Sequence, residues 1–221
     1  MTQLDVRRHA ELFDPYTFNT PFTIIGAAAT GSWLALSLAK LGITDITVYD
    51  FDVIEEHNVP NQAFGIHHIG DTKVESLKNI IVDDTGTVIK VKNEEFTTQR
   101  LSGIVFLMVD SMKARKLLWE YSAKMNSAVK LLVEPRMGLD SGRVYNVNPM
   151  DMNHIKRYEE CFYTDEEAEV SACGTSMTVI TTALSVASQC ARSLIYHHKG
   201  EELDNEILID FHYNNIFPTR W

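Results

Sequence analysis

Carboxylates, an amide and a lysine follow one another closely in the first part of the chain, and these residue types bind nucleotides and divalent metal ions. Asp50 and Asp52 directly follow an apolar segment, Asn58 comes eight residues after Asp50, and Lys73 lies further along. Asp110 ends another apolar run. Lysine neutralises phosphates, and carboxylates bind ribose hydroxyl groups or Mg²⁺. Asp50, at the end of an apolar segment, therefore suits a contact with the ribose of a nucleotide.

A glycine-rich turn precedes this set. An apolar run leads into Gly26 and then Gly31, after which residues 32–40 carry apolar side chains at helical spacing. A strand, turn and helix in this order let backbone N–H groups approach a phosphate at the positive end of the helix dipole. Ala28 takes the place of the middle fingerprint glycine, and its methyl group limits the approach of a pyrophosphate. Asp50 lies 19 residues beyond Gly31, near the spacing of about 20 for a ribose-binding acid.

Strands and helices alternate over most of the chain. Apolar and β-branched runs predict strands, and periodic apolar residues predict the helices between them. We therefore predict an α/β fold with a Rossmann-like, mostly parallel sheet, helices on both faces, and extra antiparallel strands toward the C-terminus. The predicted strands are residues 22–25, 43–49, 88–91, 104–109, 129–133, 142–147 and 207–211, and the predicted helices are residues 32–40, 73–81, 111–125 and 175–196.

The chain shows no internal repeat and no linker rich in Gly, Pro or Ser, which predicts one domain over residues 1–221, with residues 1–20 as an N-terminal arm. The acidic segment 150–172 is predicted to be a loop or a lid. The tail, residues 218–221, is predicted to end on an exposed aromatic side chain.

The composition is that of an ordinary globular chain, with 45% hydrophobic residues, 23% charged residues and a formal net charge of −10. This negative charge disfavours nucleic acid and anionic membranes as partners. No apolar run reaches the ~20 residues that span a bilayer, and no signal-peptide pattern opens the chain, so we expect a cytoplasmic protein. Its three cysteines are too few for a disulfide framework or a four-cysteine zinc site.

The segment from Asp50 to Lys73 resembles the ThiF/MoeB/HesA superfamily, the adenylating domains related to ubiquitin-activating enzymes. It reads D-F-D-V-I-E-E-H-N-V-P-N-Q and then G-D-T-K, where the family has D-x-D-x-V-x-x-x-N-x-x-R-Q and G-x-x-K, with Ile54 in place of the valine. The segment from Asp110 to Arg115 is similar to the family's D-x-x-x-x-R. With the later Ala-Cys-Gly and the helix after it, the resemblance spans about residues 7–196.

This resemblance implies an ATP-dependent adenylyltransferase that activates a carboxylate as an acyl-adenylate. The implied substrate is the C-terminus of a ubiquitin-like protein or a peptide, the implied cofactors are ATP and Mg²⁺, and the implied assembly is a homodimer. The short chain is similar to stand-alone members from bacteria and phages. The implied site residues are Gly26, Ala28, Gly31, Asp50, Asp52, Asn58, Asn61, Gln62 and Lys73 for ATP, Asp110 for Mg²⁺, and Arg8, Lys73, Asp110 and Cys173 for catalysis.

The chain departs from the family in its charges and its cysteines. Asn61 stands where the family has an arginine, which removes one phosphate-binding cation. In the family an N-terminal arginine reaches the ATP of the opposite subunit, and Arg7 or Arg8 would do so here, with Arg136 as a further candidate cation. The family's structural zinc is held by two C-x-x-C pairs, whereas Cys161 has no such partner, so we predict no zinc.

Structural alternatives stay open for each assignment. Asn58 would only form a turn, Lys73 would be an exposed lysine that opens a helix, and Asp110 would only cap the helix after it. Cys173 would be a packed thiol. Two alternative functions also stay open. An NAD-dependent oxidoreductase would use the same glycine-rich turn, and a non-catalytic subunit would keep the fold and support an active partner.

Overall fold

One sheet of eight strands forms the centre of the part of the chain that the structure describes, residues 4–164 and 179–221. The structure is a computed structural model. The strands cross the sheet in the order β3-β2-β1-β4-β5-β6-β7-β8. In chain order they are β1 (Phe22–Ile25), β2 (Ile46–Tyr49), β3 (Lys90–Lys92), β4 (Gly103–Leu107), β5 (Val129–Met137), β6 (Ser141–Val147), β7 (Glu206–Asp210) and β8 (Asn215–Thr219).

The sheet has a parallel half and an antiparallel half. Strands β1 to β5 pair in parallel, and β5 to β8 pair antiparallel. Ile25 at the end of β1 lies opposite Tyr49 on β2 and Leu107 on β4, so the carboxyl ends of these three strands meet at one edge. This confirms the predicted mostly parallel sheet with extra antiparallel strands.

Helices cover both faces of the sheet, as predicted. One apolar cluster joins β1 side chains such as Ile24 to α1, α2 and α5, and a second joins Ile25 to Trp119 and Tyr158 on the opposite face. None of the helices in the described ranges has both the length and the hydropathy that crossing a bilayer needs. The helices are α1 (Ala29–Lys40), α2 (Lys73–Thr85), α3 (Met112–Leu118), α4 (Met152–Glu160) and α5 (Ile180–His198).

The segment predicted as a loop or lid contains α4, so that prediction is wrong for Met152–Glu160. The Asp151 carboxylate caps this helix, because its Oδ1 accepts hydrogen bonds from the backbone N–H groups of Asn153 and His154 at 2.8 and 3.2 Å. Ile155 and Tyr158, three residues apart, are both buried on one face of the helix. The rest of the segment from residue 165 onward lies outside the described residues, as does the predicted start of the helix at residue 175.

The C-terminal tail also differs from its prediction. Strand β8 adds an edge to the sheet, and Trp221 is only partly exposed. Its backbone N–H donates to Asn205 Oδ1 at 2.8 Å, and its ring centroid lies 6.2 Å from that of Tyr145. At the other end of the chain, Val6 and Phe13 are buried, so the N-terminal stretch packs on the domain while Arg8 is exposed.

Candidate active site

The glycine-rich turn joins β1 to α1 at a point where the backbones of two strands and a helix touch. Gly26 has a φ of +100°, and a Cβ atom added there would lie 2.6 Å from the carbonyl oxygen of Met108. A Cβ atom at Gly31 would lie 1.9 Å from the carbonyl oxygen of Gly26. Only glycine fits these contacts, so both residues shape the turn. Ala28 precedes α1 and lines the cleft described below.

Asp50 fixes this turn to the end of β2. Its Oδ2 accepts a hydrogen bond from the backbone N–H of Ala27 at 2.6 Å, and its Oδ1 accepts one from the backbone N–H of Asp52 at 2.8 Å. Burial raises the pKa of Asp50 above its usual value, and the Lys73 charge and the two backbone N–H groups oppose part of that rise. Each carboxylate oxygen has a second lone pair, so the geometry is compatible with the predicted ribose contact.

Lys73 is buried in the first turn of α2 rather than exposed, which contradicts the alternative of a surface lysine. Its Nζ lies 2.6 Å from Oδ2 of Asp52, which is half exposed. A cation at a helix N-terminus is disfavoured by the helix dipole, and the Asp52 carboxylate offsets that cost. Lys73 therefore places an ammonium group in the wall of the cleft at the end of β2.

Three amide side chains follow Asp52 and line the same cleft: Asn58, Asn61 and Gln62. Asn58 is buried, and its Oδ1 accepts a hydrogen bond from the backbone N–H of Glu55 at 2.9 Å, so it also forms the local turn. The Oε1 atom of Gln62 is buried without a hydrogen-bond partner among the residues that the structure describes. A buried acceptor without a partner in a cleft wall favours the binding of a ligand that donates a hydrogen bond.

Asp110 lies exposed in the cleft just beyond β4. Ser111, and not Asp110, caps α3, because the Ser111 Oγ accepts a hydrogen bond from the backbone N–H of Ala114 at 3.2 Å. The alternative in which Asp110 serves only as a cap is therefore wrong. Mg²⁺ in nucleotide sites is held by one or two carboxylates together with substrate phosphates and waters, so the Asp110 carboxylate fits that ion.

Most of these residues meet in a cleft of about 1140 Å³ at the carboxyl edge of the parallel strands, whereas Gly26, Gly31 and Asp50 are not among the residues that line it. We divide it into two lobes. The turn lobe is lined by Ala28, Ala29, Thr30, Asp52, Val53, Glu55, His57, Asn58, Asn61, Gln62, Lys73, Met108, Val109 and Asp110. The hairpin lobe is lined by Pro135, Arg136, Met137, Gly138, Ser141, Gly142, Arg143, Tyr145, Glu160, Cys161, Tyr163 and Glu206, with Arg115 between the lobes.

A buried charge cluster supports the hairpin lobe, and its centre, Glu134, is a residue that was not predicted from the sequence. This carboxylate is fully buried. Arg136 donates to it from Nε at 3.1 and 3.0 Å and from Nη2 at 2.9 Å, and the Tyr158 hydroxyl donates at 3.1 Å. Arg115 forms a second ion pair with it. The signal in the sequence was a glutamate and an arginine two residues apart in an apolar strand, which places both on one face.

Arg115 belongs to this cluster as a structural residue. It is buried, and besides pairing with Glu134 it donates to the carbonyl oxygens of Pro135, at 3.0 Å, and of Val109. Burial lowers the pKa of Arg115 to about 10. These bonds tie α3 to the ends of β4 and β5, so Arg115 holds the segment that carries Asp110.

The structure does not bring every predicted residue to the cleft. Arg8 is exposed and is not among the lining residues, and Arg7 pairs with Asp5 at 2.7 Å. Cys173 lies outside the described residues. Within residues 4–164 and 179–221, no three His, Cys, Asp or Glu side chains stand close enough together to hold a metal ion by themselves. The prediction of no zinc remains a prediction, because part of the chain lies beyond these ranges.

Comparisons with known proteins place this geometry in a family. A model of the ThiF family matches residues 17–217. The probable adenylyltransferase/sulfurtransferase MoeZ of Mycobacterium tuberculosis (strain CDC 1551 / Oshkosh) is 35% identical over 65 residues, which are 29% of this chain and 17% of MoeZ.

Two solved structures have a similar fold. Escherichia coli MccB with ATP has a TM-score of 0.68 and 17% identity, over 91% of this chain and 64% of MccB. The structure of selenomethionine PaaA has a TM-score of 0.71 and 13% identity, over 100% of this chain and 76% of PaaA. This chain thus spans less than two thirds of both MoeZ and MccB. Because the family model covers most of its residues, the chain belongs to the ThiF family.

Proposed function

We propose that this chain is an ATP-dependent adenylyltransferase that joins AMP to a carboxylate as an acyl-adenylate and releases pyrophosphate. The proposal rests on the convergence of the Gly26 turn, Lys73 and Asp110 in one cleft. That cleft lies where strand order reverses between β1 and β4, the usual ligand site of an open α/β sheet. Membership of the ThiF family and the adenylyltransferase name of MoeZ support the same reaction.

The turn lobe, the N-terminus of α1 and Asp50 together form the nucleotide site in this proposal. The N-terminus of α1 receives the α-phosphate, and Asp50 accepts a hydrogen bond from the ribose. Lys73, with Asn58, holds the leaving pyrophosphate, and the Gln62 Oε1 accepts a hydrogen bond from a donor group of the nucleotide. Asp110 would hold Mg²⁺, which when bound neutralises part of the charge on the phosphates.

The reaction needs alignment and charge stabilisation more than covalent help. An oxygen of the carboxylate bonds to the α-phosphorus while the bond from that phosphorus to the pyrophosphate oxygen breaks, with the two oxygens in line. Buried cations stabilise the charge that moves onto the leaving group, because water screens them little. Lys73, which is 4% exposed, is placed for that task.

The substrate that we propose is the C-terminus of a ubiquitin-like protein or a peptide. Pockets for single small ligands are about 300 to 1,000 Å³, and this cleft is slightly larger at about 1140 Å³. The hairpin lobe therefore offers room for a second reactant beside the nucleotide. Solved structures of MccB with MccA show that a relative of similar fold has been crystallised with a second molecule besides ATP analogues.

A homodimer is part of the proposal, because Arg8 lies outside the cleft of its own chain. In a twofold dimer Arg8 would reach the cleft of the other subunit and supply the cation that Asn61 does not.

Transfer of the acyl group to Cys173 as a thioester would be a later step. We place the reaction in the cytoplasm.

The proposal is tested by exchange of labelled pyrophosphate into ATP in the presence of a set of peptides with free C-termini. We expect a subset of peptides to stimulate exchange, and we expect Lys73→Gln and Asp110→Asn to abolish it. Asp83→Asn is the matched control, because Asp83 is exposed on α2 away from the cleft. Exchange that survives both substitutions would contradict the assigned site.

The same experiment separates the alternatives. The replacement of the family arginine by Asn61 favours a non-catalytic subunit. Such a subunit would bind ATP, but no peptide would stimulate exchange of pyrophosphate into ATP. An NAD-dependent oxidoreductase would bind NADH tightly and ATP poorly. Burial of Lys73 beside the turn favours a nucleotide with more phosphate charge than NAD carries near that position.

A further inference from the structure

The strands deliver the candidate site residues to the sheet edge in a fixed lateral order. Asp50 follows β2, the glycine turn follows β1, Asp110 lies beyond β4, and Arg136 lies near the end of β5. These strands are neighbours in the order β2-β1-β4-β5. The candidate ribose ligand therefore lies on one side of the turn, and Arg136 lies on the other side, beyond Asp110.

This order separates the leaving group from the nucleophile. Lys73 bonds to Asp52, two residues beyond Asp50, so the cation for the leaving pyrophosphate lies on the β2 side. An in-line displacement places the attacking oxygen opposite the leaving oxygen across the phosphorus. The attacking carboxylate must then approach from the side of β5 and β6, which form the hairpin lobe.

Arg136 is a cation of that lobe whose N–H donors are not all used by neighbouring protein groups. A guanidinium group has five N–H donors. In the described part of the chain, Arg136 uses Nε and one N–H of Nη2 on Glu134, and one N–H of Nη1 on the Cys161 carbonyl oxygen at 2.6 Å. The Tyr158 hydroxyl also lies within hydrogen-bonding range of the group, which leaves at least one N–H of the terminal nitrogens for a ligand. The group also stacks near two rings, 4.5 Å from the Tyr145 centroid and 5.4 Å from that of Tyr163.

The other two arginines of the cleft are less suited to bind an anion. Arg115 is bonded to two backbone carbonyl groups and to Glu134. Arg143 donates from Nη1 to Glu206 at 2.6 Å, so its charge is balanced by a single carboxylate, and its side chain is about half exposed to water. Because Glu134 is shared by Arg115 and Arg136, the cluster carries two positive charges and one negative charge, and its excess positive charge favours an anion in the lobe.

We propose that Arg136 binds the carboxylate of the acyl substrate and that Glu134 is a positioning residue that holds the Arg136 fork in place. This inference rests on the proposed adenylation and assigns the acyl substrate to the hairpin lobe. It makes Arg136 a determinant of specificity. A free C-terminal carboxylate is accepted, and the carboxamide of the same peptide is rejected, because it offers neither charge nor two equivalent acceptors.

The test compares two probe peptides, N-acetyl-glycylglycine and its C-terminal carboxamide, binding to the full chain saturated with the ATP analogue AMPCPP. Titration calorimetry or ligand-observed NMR gives each affinity. We expect the wild-type chain to prefer the carboxylate by about tenfold or more, the usual effect of a charge-assisted hydrogen bond. Arg136→Gln should remove this preference and leave AMPCPP affinity unchanged.

Arg136→Gln leaves the buried Glu134 carboxylate paired one-to-one with Arg115, so we expect the variant to fold, and two further variants support the test. Arg136→Lys keeps the charge without the fork and should keep part of the preference. Arg157→Gln, an exposed arginine of α4 outside the cleft, is the matched control.

A wild-type chain without preference for the carboxylate overturns the inference, as does a preference that survives loss of Arg136. A parallel loss of AMPCPP affinity would assign Arg136 to the nucleotide instead. These outcomes are distinct from failure of the proposed function. A chain whose carboxylate preference depends on Arg136, but which exchanges no pyrophosphate with any peptide, would keep the subsite and refute adenylation.

Discussion

Buried charges surround the cleft, and each of them has a partner. Lys73 pairs with Asp52, and Glu134 pairs with Arg115 and Arg136. Moving a charge out of water costs several kcal/mol, and pairing offsets that cost without reliably adding stability. Residues of this kind are better explained by the geometry that they impose on the cleft than by a contribution to folding.

Tyr158 gives the charge cluster a measurable pH dependence. Burial raises the pKa of this phenol to about 12, above the value of about 10 for an unfolded chain. Below pH 10 both states hold the proton, and above it the unfolded state releases the proton first. The contribution of Tyr158 to the free energy of unfolding is therefore complete below about pH 10 and is lost as the pH rises toward 12.

We predict that Tyr158→Phe lowers stability at pH 7 by about 1.5 to 3 kcal/mol, since Glu134 loses a hydrogen bond to its charged form. The difference between variant and wild type should shrink between pH 10 and pH 12. Urea unfolding at several pH values measures both effects. Tyr121→Phe, at an exposed position, is the control and should change neither. A constant difference across this pH range would show that the Tyr158 proton is not linked to folding.

The positions of some site residues could be predicted from their order in the sequence, whereas those of others could not. Asp50 and Asp110 follow parallel strands, and such strands end at one edge, so their meeting was predictable. Arg136 alone was a candidate cation, but its buried pairing with Glu134 was not predictable, because a strand buried on both faces shows no alternation that reveals a charged pair inside it. The role of Arg115 depends on carbonyl groups that only the folded chain brings near it.

At the scale of elements, α4 links the surface of the domain to the cleft. It begins at the Asp151 cap and ends at Cys161, whose carbonyl oxygen accepts a hydrogen bond from Arg136. Its acidic residues suggested a loop, whereas the cap and the buried pair Ile155 and Tyr158 determine a helix. A short helix of this kind is stabilised by its cap and its packing more than by its composition.

We predict that Asp151→Ala destabilises the domain by about 1 kcal/mol, because two N–H groups of the first turn of α4 lose their acceptor. Asp151→Asn keeps a capping oxygen and is the matched control, expected to remain near wild type. The hydrogen bond from the His154 N–H lowers the pKa of Asp151, so its contribution is present at neutral pH and is lost as the pH falls through that value. Thermal unfolding of both variants at pH 7 checks this, and equal losses would exclude capping as the cause.

At the scale of the whole molecule, the sheet gives the cleft its two lobes. The parallel half supplies the glycine turn and Asp110, and the antiparallel half adds β6 and β7, whose Arg143 and Glu206 line the hairpin lobe. One chain thus contains both lobes but keeps Arg8 outside them. If Arg8 takes part in the reaction, a second subunit must bring it.

Mixing two inactive variants tests that requirement. Arg8→Ala lacks the arginine, and Lys73→Gln lacks the cation of the turn lobe. In a mixed dimer the Arg8→Ala subunit has an intact Lys73 and receives Arg8 from its partner, so one of its two clefts is complete. Random exchange of subunits should then restore about a quarter of the wild-type rate of pyrophosphate exchange.

The same mixture with Arg7→Ala in place of Arg8→Ala distinguishes the two arginines, and light scattering measures the dimer. Because an arginine that acts within its own subunit leaves every cleft of the mixture incomplete, a mixture that stays inactive would refute action across the dimer.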